Sequence, residues 1–322
     1  MKAIRIHLHG GPERMSRDDL QKPVPGSGQA LVQVKAAGVN FIDIYQRDGL
    51  YPVELPYTLG LEGAGIVESV APGVKGLNAG DRVAFAGAAG SYAQYTVVPA
   101  EKLVIIPAEL SYRQAAAAML QGMTAHYLSH STYPLKQGDS CLIHAAAGGV
   151  GLLLVQLAKL CGARVLATVS TEKKAELAGS AGADLVILYS RRDFEDEVRE
   201  YTNGQGVNVV YDSVGESTFL KSLNCLKKRG TLVSFGQSSG KISNFDPSIL
   251  GSKGSLYLTR PSIFDYIADR ESLQARAVAI FNWIVSGQLR LNIYNAYQLS
   301  EAAQAHRDLA SRKSSGKLIL LP

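Results

Sequence analysis

The chain has 322 residues, of which 46% are hydrophobic and 19% are charged, and its formal net charge is +5. A chain of this length is typical of about two domains, and its composition excludes disordered and coiled-coil proteins. Because the charge is spread along the chain without a run of like charges, it suits an anionic ligand but does not predict a nucleic-acid-binding surface.

Cysteine content and the N-terminus indicate the cellular setting. The three cysteines, Cys141, Cys161 and Cys225, are odd in number and widely spaced, which argues against a disulfide framework or a structural zinc site and favours a reducing compartment. The N-terminal sequence MKAIRIHLHGG alternates like a strand and lacks the apolar core of a signal peptide. No apolar run approaches the roughly 20 residues that span a bilayer. We therefore expect a soluble cytoplasmic protein that does not act on membranes.

The first third of the chain is rich in short strands bounded by glycine, proline and asparagine. Its β-type residues predict strands at 30–39, 63–70, 81–85 and 91–98. From about residue 112 the sequence becomes helical, in the segment RQAAAAMLQGMTAHYLSH.

A regular alternation of strands and helices then begins. Strands are predicted at 140–145, 164–169, 185–189, 207–212, 231–236 and 255–260, and helices at 151–160, 171–179, 194–201 and near 216–226. This order predicts a parallel sheet with helices on both faces, and the continuously apolar strands agree with it. A helix at 270–285 and a strand in GKLILLP complete the chain. The predicted fold class is α/β, with a doubly wound cofactor domain inserted into a β-rich domain.

The segment AAAGGVGLLLVQLAK, residues 145–159, links the first strand of this alternation to a helix. In that setting Gly148, Gly149 and Gly151 fit a dinucleotide fingerprint. Glycine permits unusual backbone angles and close approach of a pyrophosphate, Gly151 lets the helix pack on the strand, and the helix N-terminus attracts phosphate. Ala146 stands where the first glycine of G-x-G-x-x-G is expected. The alternative is a purely structural glycine turn.

The tip of the second strand indicates which nucleotide is bound. NAD sites place Asp or Glu about 20 residues after the glycine loop, where it accepts from the ribose 2′-hydroxyl. This strand instead ends in Val169, Ser170 and Thr171, and the last two can donate to a 2′-phosphate.

Nearby cations strengthen the choice of NADPH. Lys174 lies one helical turn further on, and Arg191 and Arg192 follow Tyr189 at the end of the third strand. The alternative for Lys174 and Arg191 is that they are solvated surface cations. Glu172 is expected to face solvent in the first helical turn, where the helix dipole favours an acid.

From Gly138 to Lys159 the sequence reads G-D-x-x-L-x-x-x-A-A-G-G-x-G-x-x-x-x-Q-x-x-K. This resembles the signature of quinone oxidoreductases of the ζ-crystallin type, in the zinc-free branch of the medium-chain dehydrogenase/reductase superfamily. The resemblance covers nearly the whole chain, including GVNFIDIYQRDGLYP, YDSVG, SFGQSSG and SLYLTRPS, and is close to the bacterial NADPH:quinone reductases.

The resemblance implies a domain plan. A GroES-like catalytic domain is expected at 1–124 and 264–322, and a Rossmann domain that binds NADPH is expected at 125–263. The implied active site is a cleft between the two domains, and the implied assembly is a homodimer built partly by joining Rossmann sheets.

Zinc ligation can be tested on the residues. Zinc alcohol dehydrogenases of this superfamily carry one ligand in a C-x-x-D pattern and another in a G-H-E pattern. Here N-F-I-D places Asn40 at the cysteine and keeps Asp43, and G-L-E places Leu61 at the histidine and keeps Glu62. Because catalytic zinc needs three N, S or O ligands, we expect no metal. Glu62 is then expected to be a buried structural carboxylate or the partner of an asparagine or arginine.

The resemblance also implies the residues of the site. Asn40, Asp43, Tyr45 and Tyr51 are expected near the nicotinamide, where the tyrosines can stack or hydrogen-bond and where Asn40 and Gln121 can bind the carboxamide or the quinone oxygen. The alternative is that either tyrosine is a packing residue. His144, beside the glycine loop, is expected to be a packed histidine rather than a catalyst.

The cofactor-binding positions that follow from the glycine loop, the second-strand tip and the resemblance are Asn40, Phe41, Ile42, Asp43, Ile44, Tyr127, Gly148, Gly149, Val150, Gly151, Ser170, Thr171, Lys174, Tyr189, Ser213, Phe235, Gly236, Arg260 and Lys317.

Three functions remain in competition at this stage. The leading hypothesis is an NADPH-dependent quinone reductase, because a quinone becomes aromatic on reduction and needs binding and orientation more than acid–base help. The second is reduction of an activated C=C bond, as in an enone or enoyl thioester. The third is a cofactor-sensitive RNA-binding or bulk lens protein of the ζ-crystallin type, although no basic stripe interleaved with aromatic residues supports RNA binding.

Overall fold

The computed structural model describes residues 1–322, which form two compact units. Unit 1 comprises Met1–Met123 and Tyr266–Pro322, and unit 2 comprises Thr124–Asp265. In sequence, unit 2 is therefore an insertion between two segments of unit 1. None of the helices combines the length and the apolar character that crossing a membrane requires.

The first segment of unit 1 consists of short antiparallel strands around one long strand, β3, which pairs with both β5 and β7. Its only α-helix before α2 is the two-turn α1. The elements are β1 (Lys2–Ile6), β2 (Met15–Asp19), β3 (Gln29–Val39), α1 (Phe41–Asp48), β4 (Tyr57–Thr58), β5 (Glu62–Val70), β6 (Arg82–Ala86), β7 (Tyr95–Pro99), β8 (Val104–Ile105) and α2 (Tyr112–Tyr127).

Unit 2 is a six-stranded sheet in the order β11-β10-β9-β12-β13-β14, and every strand pair in it is parallel. The order reverses at β9, which pairs with β10 on one side and β12 on the other. The elements are β9 (Ser140–Ile143), α3 (Gly149–Leu160), β10 (Arg164–Val169), α4 (Glu172–Ser180), β11 (Leu185–Leu188), α5 (Phe194–Tyr201), β12 (Val207–Asp212), α6 (Phe219–Asn224), β13 (Leu226–Ser234), α7 (Ser248–Ser252) and β14 (Tyr257–Thr259).

The last segment returns the chain to unit 1. Its final strand pairs antiparallel with β3, so that Leu318 lies opposite Val39. The sheet that results has the order β15-β16-β3-β5-β6-β8, with β7 also on β3. The elements are α8 (Ile263–Tyr266), α9 (Arg270–Val285), β15 (Ile293–Gln298), α10 (Ala302–Ala310) and β16 (Lys317–Leu321).

Each unit has its own apolar core. In unit 1, side chains of β1, β3, α10 and β16 pack together around residues such as Ile6, Val34 and Leu320. In unit 2, Leu142, Leu166, Val210 and other strand residues pack against the flanking helices. Five of the six residues of β10 are buried, as expected for a strand covered on both faces. The predicted α/β class, a β-rich part with an inserted parallel sheet flanked by helices, is confirmed.

Candidate active site

The glycine loop runs from the end of β9 to the start of α3. A Cβ atom on Gly151 would lie 2.4 Å from the carbonyl oxygen of Ala145 and 2.8 Å from the Cα of Ala146. No side chain fits in that space, so a glycine is needed where the helix crosses the loop. The positive φ in the loop, 50°, belongs to Ala145. Ala146 is thus free of backbone strain, which explains why alanine is tolerated at the first glycine position of the pattern.

The ends of β10 and β11 lie side by side, because the two strands are parallel neighbours. The hydroxyl of Thr171 caps α4 by accepting from the backbone N–H of Lys174 at 3.3 Å. The Ser190 hydroxyl donates to the carbonyl of Ser170 at 3.3 Å, which joins the two loops. Tyr189 is half-exposed. The residues predicted to bind the 2′-phosphate therefore lie together, just beyond the carboxyl ends of β10 and β11.

Two charged residues beyond the carboxyl ends of these strands form an ion pair. A guanidinium nitrogen of Arg191 lies 2.5 Å from a carboxylate oxygen of Glu172. Glu172 faces solvent as expected, but it has a cationic partner there. Lys174 is half-buried, and this burial lowers the pKa of its ammonium.

The ends of β12 and β13 approach each other closely. A Cβ atom on Gly236 would lie 2.6 Å from the carbonyl oxygen of Ser213. Arg260 donates to the carbonyls of Ser234 at 3.2 Å and Gly236 at 2.9 Å, and so holds the loop that contains Phe235. With the glycine loop, these residues lie at the carboxyl ends of parallel strands near the reversal of strand order, where ligands bind in doubly wound sheets.

His144 is a buried, hydrogen-bonded residue of unit 2. Its Nδ1 lies 2.9 Å from the Thr168 hydroxyl and its Nε2 lies 3.0 Å from the Ser222 hydroxyl. Burial lowers the pKa of its imidazole. Ser222 in turn donates to Asp212, whose carboxylate also accepts from backbone N–H groups of the following loop. His144 therefore braces strand ends, as a packed histidine would. Tyr127 is also buried in unit 2.

In unit 1, four side chains form what we term the Asn40 cluster: Asn40, Glu62, Gln121 and Lys317. The Lys317 ammonium donates to Asn40 Oδ1 at 2.8 Å and to a carboxylate oxygen of Glu62. Asn40 Nδ2 donates to the same Glu62 oxygen at 2.9 Å, and Gln121 Nε2 lies 3.4 Å from Asn40 Oδ1. The second Glu62 oxygen accepts the backbone N–H of Leu120 at 2.5 Å. Glu62 is therefore both buried and an asparagine partner, and Lys317 neutralises it.

This cluster fixes the Asn40 amide in one orientation, since its oxygen faces an ammonium and its nitrogen faces a carboxylate. The Asn40 side chain is thus occupied within unit 1, and so is the ammonium of Lys317. The contact with Lys317 spans 277 residues of sequence, and no spacing rule indicates it.

A second buried chain, the Asp43 relay, consists of Arg47, His306, Tyr92 and Asp43. An arginine can only donate, so Nδ1 of His306, 3.1 Å from an Arg47 nitrogen, must accept. Nε2 then carries the imidazole proton and donates to the Tyr92 oxygen at 3.2 Å. The Tyr92 hydroxyl donates to Asp43 Oδ2 at 2.9 Å. The hydrogen bonds therefore all run from the guanidinium towards the carboxylate.

Burial dominates the electrostatics of this relay. It raises the pKa of Asp43 to about 7, against the opposing effects of the Asn40 backbone N–H and the Tyr92 hydroxyl. Both donors reach Oδ2, while Oδ1 has no hydrogen-bond partner. Burial and the neighbouring Arg47 lower the pKa of His306 to about 3. Arg47, Tyr92 and His306 were not predicted from the sequence; the i, i+4 spacing of Asp43 and Arg47 is the one signal, and it needs α1 to be recognised.

The remaining predicted residues of unit 1 lie on or beside α1. Tyr45 and Tyr51 meet edge to face with ring centroids 5.3 Å apart, and Phe41 contacts Tyr45 at 6.2 Å. Tyr51 is more than one-third exposed, whereas Ile44 is buried in the apolar core. Ile42 is partly buried. Aromatic rings on and beside α1 are thus partly accessible, whereas the acid of the helix, Asp43, is buried.

The donor set of unit 1 does not fit zinc. The positions of two expected ligands are occupied by Asn40, an amide bound to a lysine, and by Leu61, a buried hydrocarbon. No group of three or more His, Cys, Asp or Glu side chains could hold a metal ion. The ammonium of Lys317 supplies positive charge beside Glu62 in place of a metal ion.

Two family models match the chain. The alcohol dehydrogenase GroES-like domain matches residues 26–108, and the zinc-binding dehydrogenase domain matches residues 149–272. The second matches a family named for zinc, although the ligand positions of unit 1 are altered.

Known proteins similar to the chain align over nearly its full length. Quinone oxidoreductase 1 of Escherichia coli K12 is 45% identical over 99% of both chains, and the quinone oxidoreductase of Pseudomonas aeruginosa is 46% identical over 100% of this chain and 99% of its own. A 2-haloacrylate reductase of a Burkholderia species is 42% identical over 99% and 98%. The crystal structure of E. coli quinone oxidoreductase complexed with NADPH superposes with a TM-score of 0.98 at 45% identity, covering 100% of both chains.

Proposed function

Because the chain belongs to the quinone oxidoreductase family of the medium-chain dehydrogenase/reductase superfamily, we propose that it reduces quinones with NADPH and without a metal ion. It is an oxidoreductase enzyme. The observation that carries the proposal is the full-length likeness to a quinone oxidoreductase crystallised with NADPH, together with a glycine loop whose Gly151 leaves no room for a side chain.

The residues present fit NADPH. The glycine loop and the start of α3 provide backbone N–H groups and a favourable dipole for a pyrophosphate. The tip of β10 has hydroxyls and a lysine in place of the acid that NAD sites use. We assign the predicted cofactor-binding residues of unit 2, from Gly148 to Arg260, to the binding of NADPH.

When bound, NADPH supplies a hydride. The carboxylates of the Asn40 cluster and the Asp43 relay are buried and hydrogen-bonded. A site without an accessible acid of its own suits a quinone, because the reduced ring is aromatic and its oxyanion is delocalised. The protein's own task is then binding and orientation. We assign the aromatic rings of Tyr45 and Tyr51 to stacking on the substrate. Asn40 and Asp43, whose side chains are engaged inside unit 1, position the backbone of α1.

Nucleotide preference tests this proposal. Lys174→Ala should raise KM for NADPH severalfold and leave KM for NADH nearly unchanged, since only NADPH has a 2′-phosphate. Steady-state oxidation of both nucleotides with a small panel of quinones measures this. Equal effects on the two nucleotides would count against the assignment of the 2′-phosphate.

Reduction of an activated C=C bond is a second candidate, favoured by the likeness to 2-haloacrylate reductase. An electron-poor alkene next to a carboxylate also accepts hydride without a metal. The ratio of kcat/KM for 1,4-benzoquinone to that for 2-chloroacrylate separates the two functions. We expect the quinone to be the better substrate.

We also propose a homodimer formed through β14. This strand is one of the two edge strands of the unit 2 sheet, and its Tyr257 and Leu258 are exposed. An exposed edge with apolar side chains is a template for pairing with another strand. Pairing with β14 of a second copy would satisfy the free backbone groups of both strands without exposing a new edge.

A further inference from the structure

The two loops that follow β10 and β11 contain more charge than the nucleotide motif requires. Glu172 is the first residue of α4, and its carboxylate lies 2.5 Å from the guanidinium of Arg191. Both side chains are largely exposed, at 59% and 67%. The Ser190–Ser170 hydrogen bond ties their two loops together, so the pair sits at the tip of the second strand.

This pair involves the groups that discriminate between nucleotides. A guanidinium is well suited to a phosphate dianion, because its planar N–H groups match phosphate oxygens. The second strand offers Ser170 and Thr171 in place of the usual acid, yet an acid follows one residue later and binds Arg191. The neighbouring Arg192 is paired separately, 3.3 Å from Glu197.

We propose that Glu172 is a specificity-determining residue whose carboxylate competes with the 2′-phosphate of NADPH for Arg191. The inference rests on the proposed NADPH site. Binding of NADPH exchanges the carboxylate partner of Arg191 for a phosphate partner. NADH has no 2′-phosphate, so the Glu172–Arg191 pair persists when it binds. Glu172 therefore narrows the difference in affinity between the two nucleotides.

The exchange is feasible because the pair is weak. Exposed ion pairs contribute little to stability, and a phosphate dianion offers stronger hydrogen bonds than a carboxylate. The cost of breaking the pair should appear as a severalfold loss of affinity for phosphorylated ribose. The wild-type protein should thus prefer NADPH over NADH less strongly than the number of cations near the 2′-phosphate suggests.

The test is Glu172→Gln, with binding of 2′-AMP and 5′-AMP measured by isothermal titration calorimetry on the full-length protein. We expect the variant to bind 2′-AMP about threefold to fivefold more tightly. Its affinity for 5′-AMP should change by less than about twofold. Glu197→Gln removes the same charge from the neighbouring Arg192 pair and serves as the matched control; it should leave both affinities unchanged.

A double-mutant cycle separates competition for Arg191 from a general loss of negative charge. Arg191→Gln should weaken 2′-AMP binding, and Glu172→Gln in that background should have less than about a twofold effect. Both side chains are exposed, so neither variant endangers folding. An equal gain from Glu172→Gln with and without Arg191, or no gain at all, would overturn the inference.

The failure of this inference is distinguishable from the failure of the proposed function. If wild-type protein binds NADPH and 2′-AMP but Glu172→Gln changes nothing, only the competition is wrong. If wild-type protein binds neither NADPH nor 2′-AMP, the NADPH assignment itself is wrong and the competition falls with it.

Discussion

Lys317 and Glu62 form an ion pair whose side chains are almost inaccessible, at 3% and 0% exposure. A buried pair of this kind adds little net stability, but removing one partner leaves an uncompensated charge in the interior. Replacing one residue of the pair should therefore cost more stability than replacing both.

Lys317→Met should lower the free energy of unfolding by about 3–5 kcal/mol, because Glu62 then stays buried and unpaired. Lys317→Met with Glu62→Gln should recover most of that loss. Urea denaturation measures both. The matched control is Lys22→Met, which breaks an exposed Lys–Glu pair with Glu68 and should cost less than about 1 kcal/mol. Equal losses at the two sites would contradict this interpretation.

Asp43 should give the protein a pH-dependent stability. Its pKa is raised to about 7 in the folded state, against about 3.9 in an unfolded chain. Between these values the folded protein keeps a proton that the unfolded chain has lost, so the contribution of Asp43 to stability falls as pH rises.

The stability difference between the wild type and Asp43→Asn should therefore shrink by about 2–3 kcal/mol from about pH 5 to pH 7 and stay constant above about pH 8. Urea midpoints across that range measure it. A difference independent of pH would show that the carboxyl ionises normally in the folded protein.

Sequence alone indicated part of this buried chemistry. Glu62 was expected to be a buried carboxylate or the partner of an asparagine or arginine; it is buried, and Asn40 donates to it. The Asp43 relay could not be predicted, since Tyr92 and His306 are 214 residues apart and His306 and Arg47 are 259 apart. Contacts of that separation depend on the whole fold of unit 1.

The glycine loop shows how one element depends on one missing side chain. A Cβ atom added to Gly151 would overlap the backbone of Ala145 and Ala146, and backbone cannot move aside as a flexible side chain can. The start of α3 is thereby held against β9, where a pyrophosphate would bind.

Gly151→Ala should destabilise the protein by about 1–3 kcal/mol through overpacking and weaken NADPH binding, measured by nucleotide fluorescence titration. The control is Gly179→Ala in the next helix, where an added Cβ meets nothing within 4 Å. That change should stabilise the protein by about 0.5–1 kcal/mol and leave NADPH binding unchanged. Similar effects of the two changes would remove the steric explanation.

Elements with a clean apolar pattern were predictable and others were not. The predicted α5, α9, β10 and β12 match the observed bounds, because their buried faces are apolar. The helices α1 and α10 were not predicted, since they bury polar residues such as Asp43, Arg47 and His306. A polar inner face disrupts the periodicity on which helix prediction depends.

For the whole molecule, the proposed homodimer rests on β14, an edge strand of the unit 2 sheet with exposed apolar side chains. If two copies join through β14, a charge there meets its own copy across the interface. Like charges facing each other on paired strands are destabilising.

Leu258→Lys should therefore convert a dimer into a monomer, which sedimentation velocity measures directly. Leu220→Lys is the control, because Leu220 is also exposed but lies on α6. A monomeric wild type, or a dimer that survives Leu258→Lys, would show that β14 is not the interface.

The metal independence of quinone reduction is tested most directly by turnover after chelation. Protein dialysed against EDTA, with its zinc content measured, is assayed with NADPH and NADH and with 1,4-benzoquinone as acceptor. We predict undiminished turnover with NADPH as the preferred nucleotide, since Lys317 and Leu61 leave no zinc site. Loss of activity on chelation and its recovery with added zinc would contradict this mechanism.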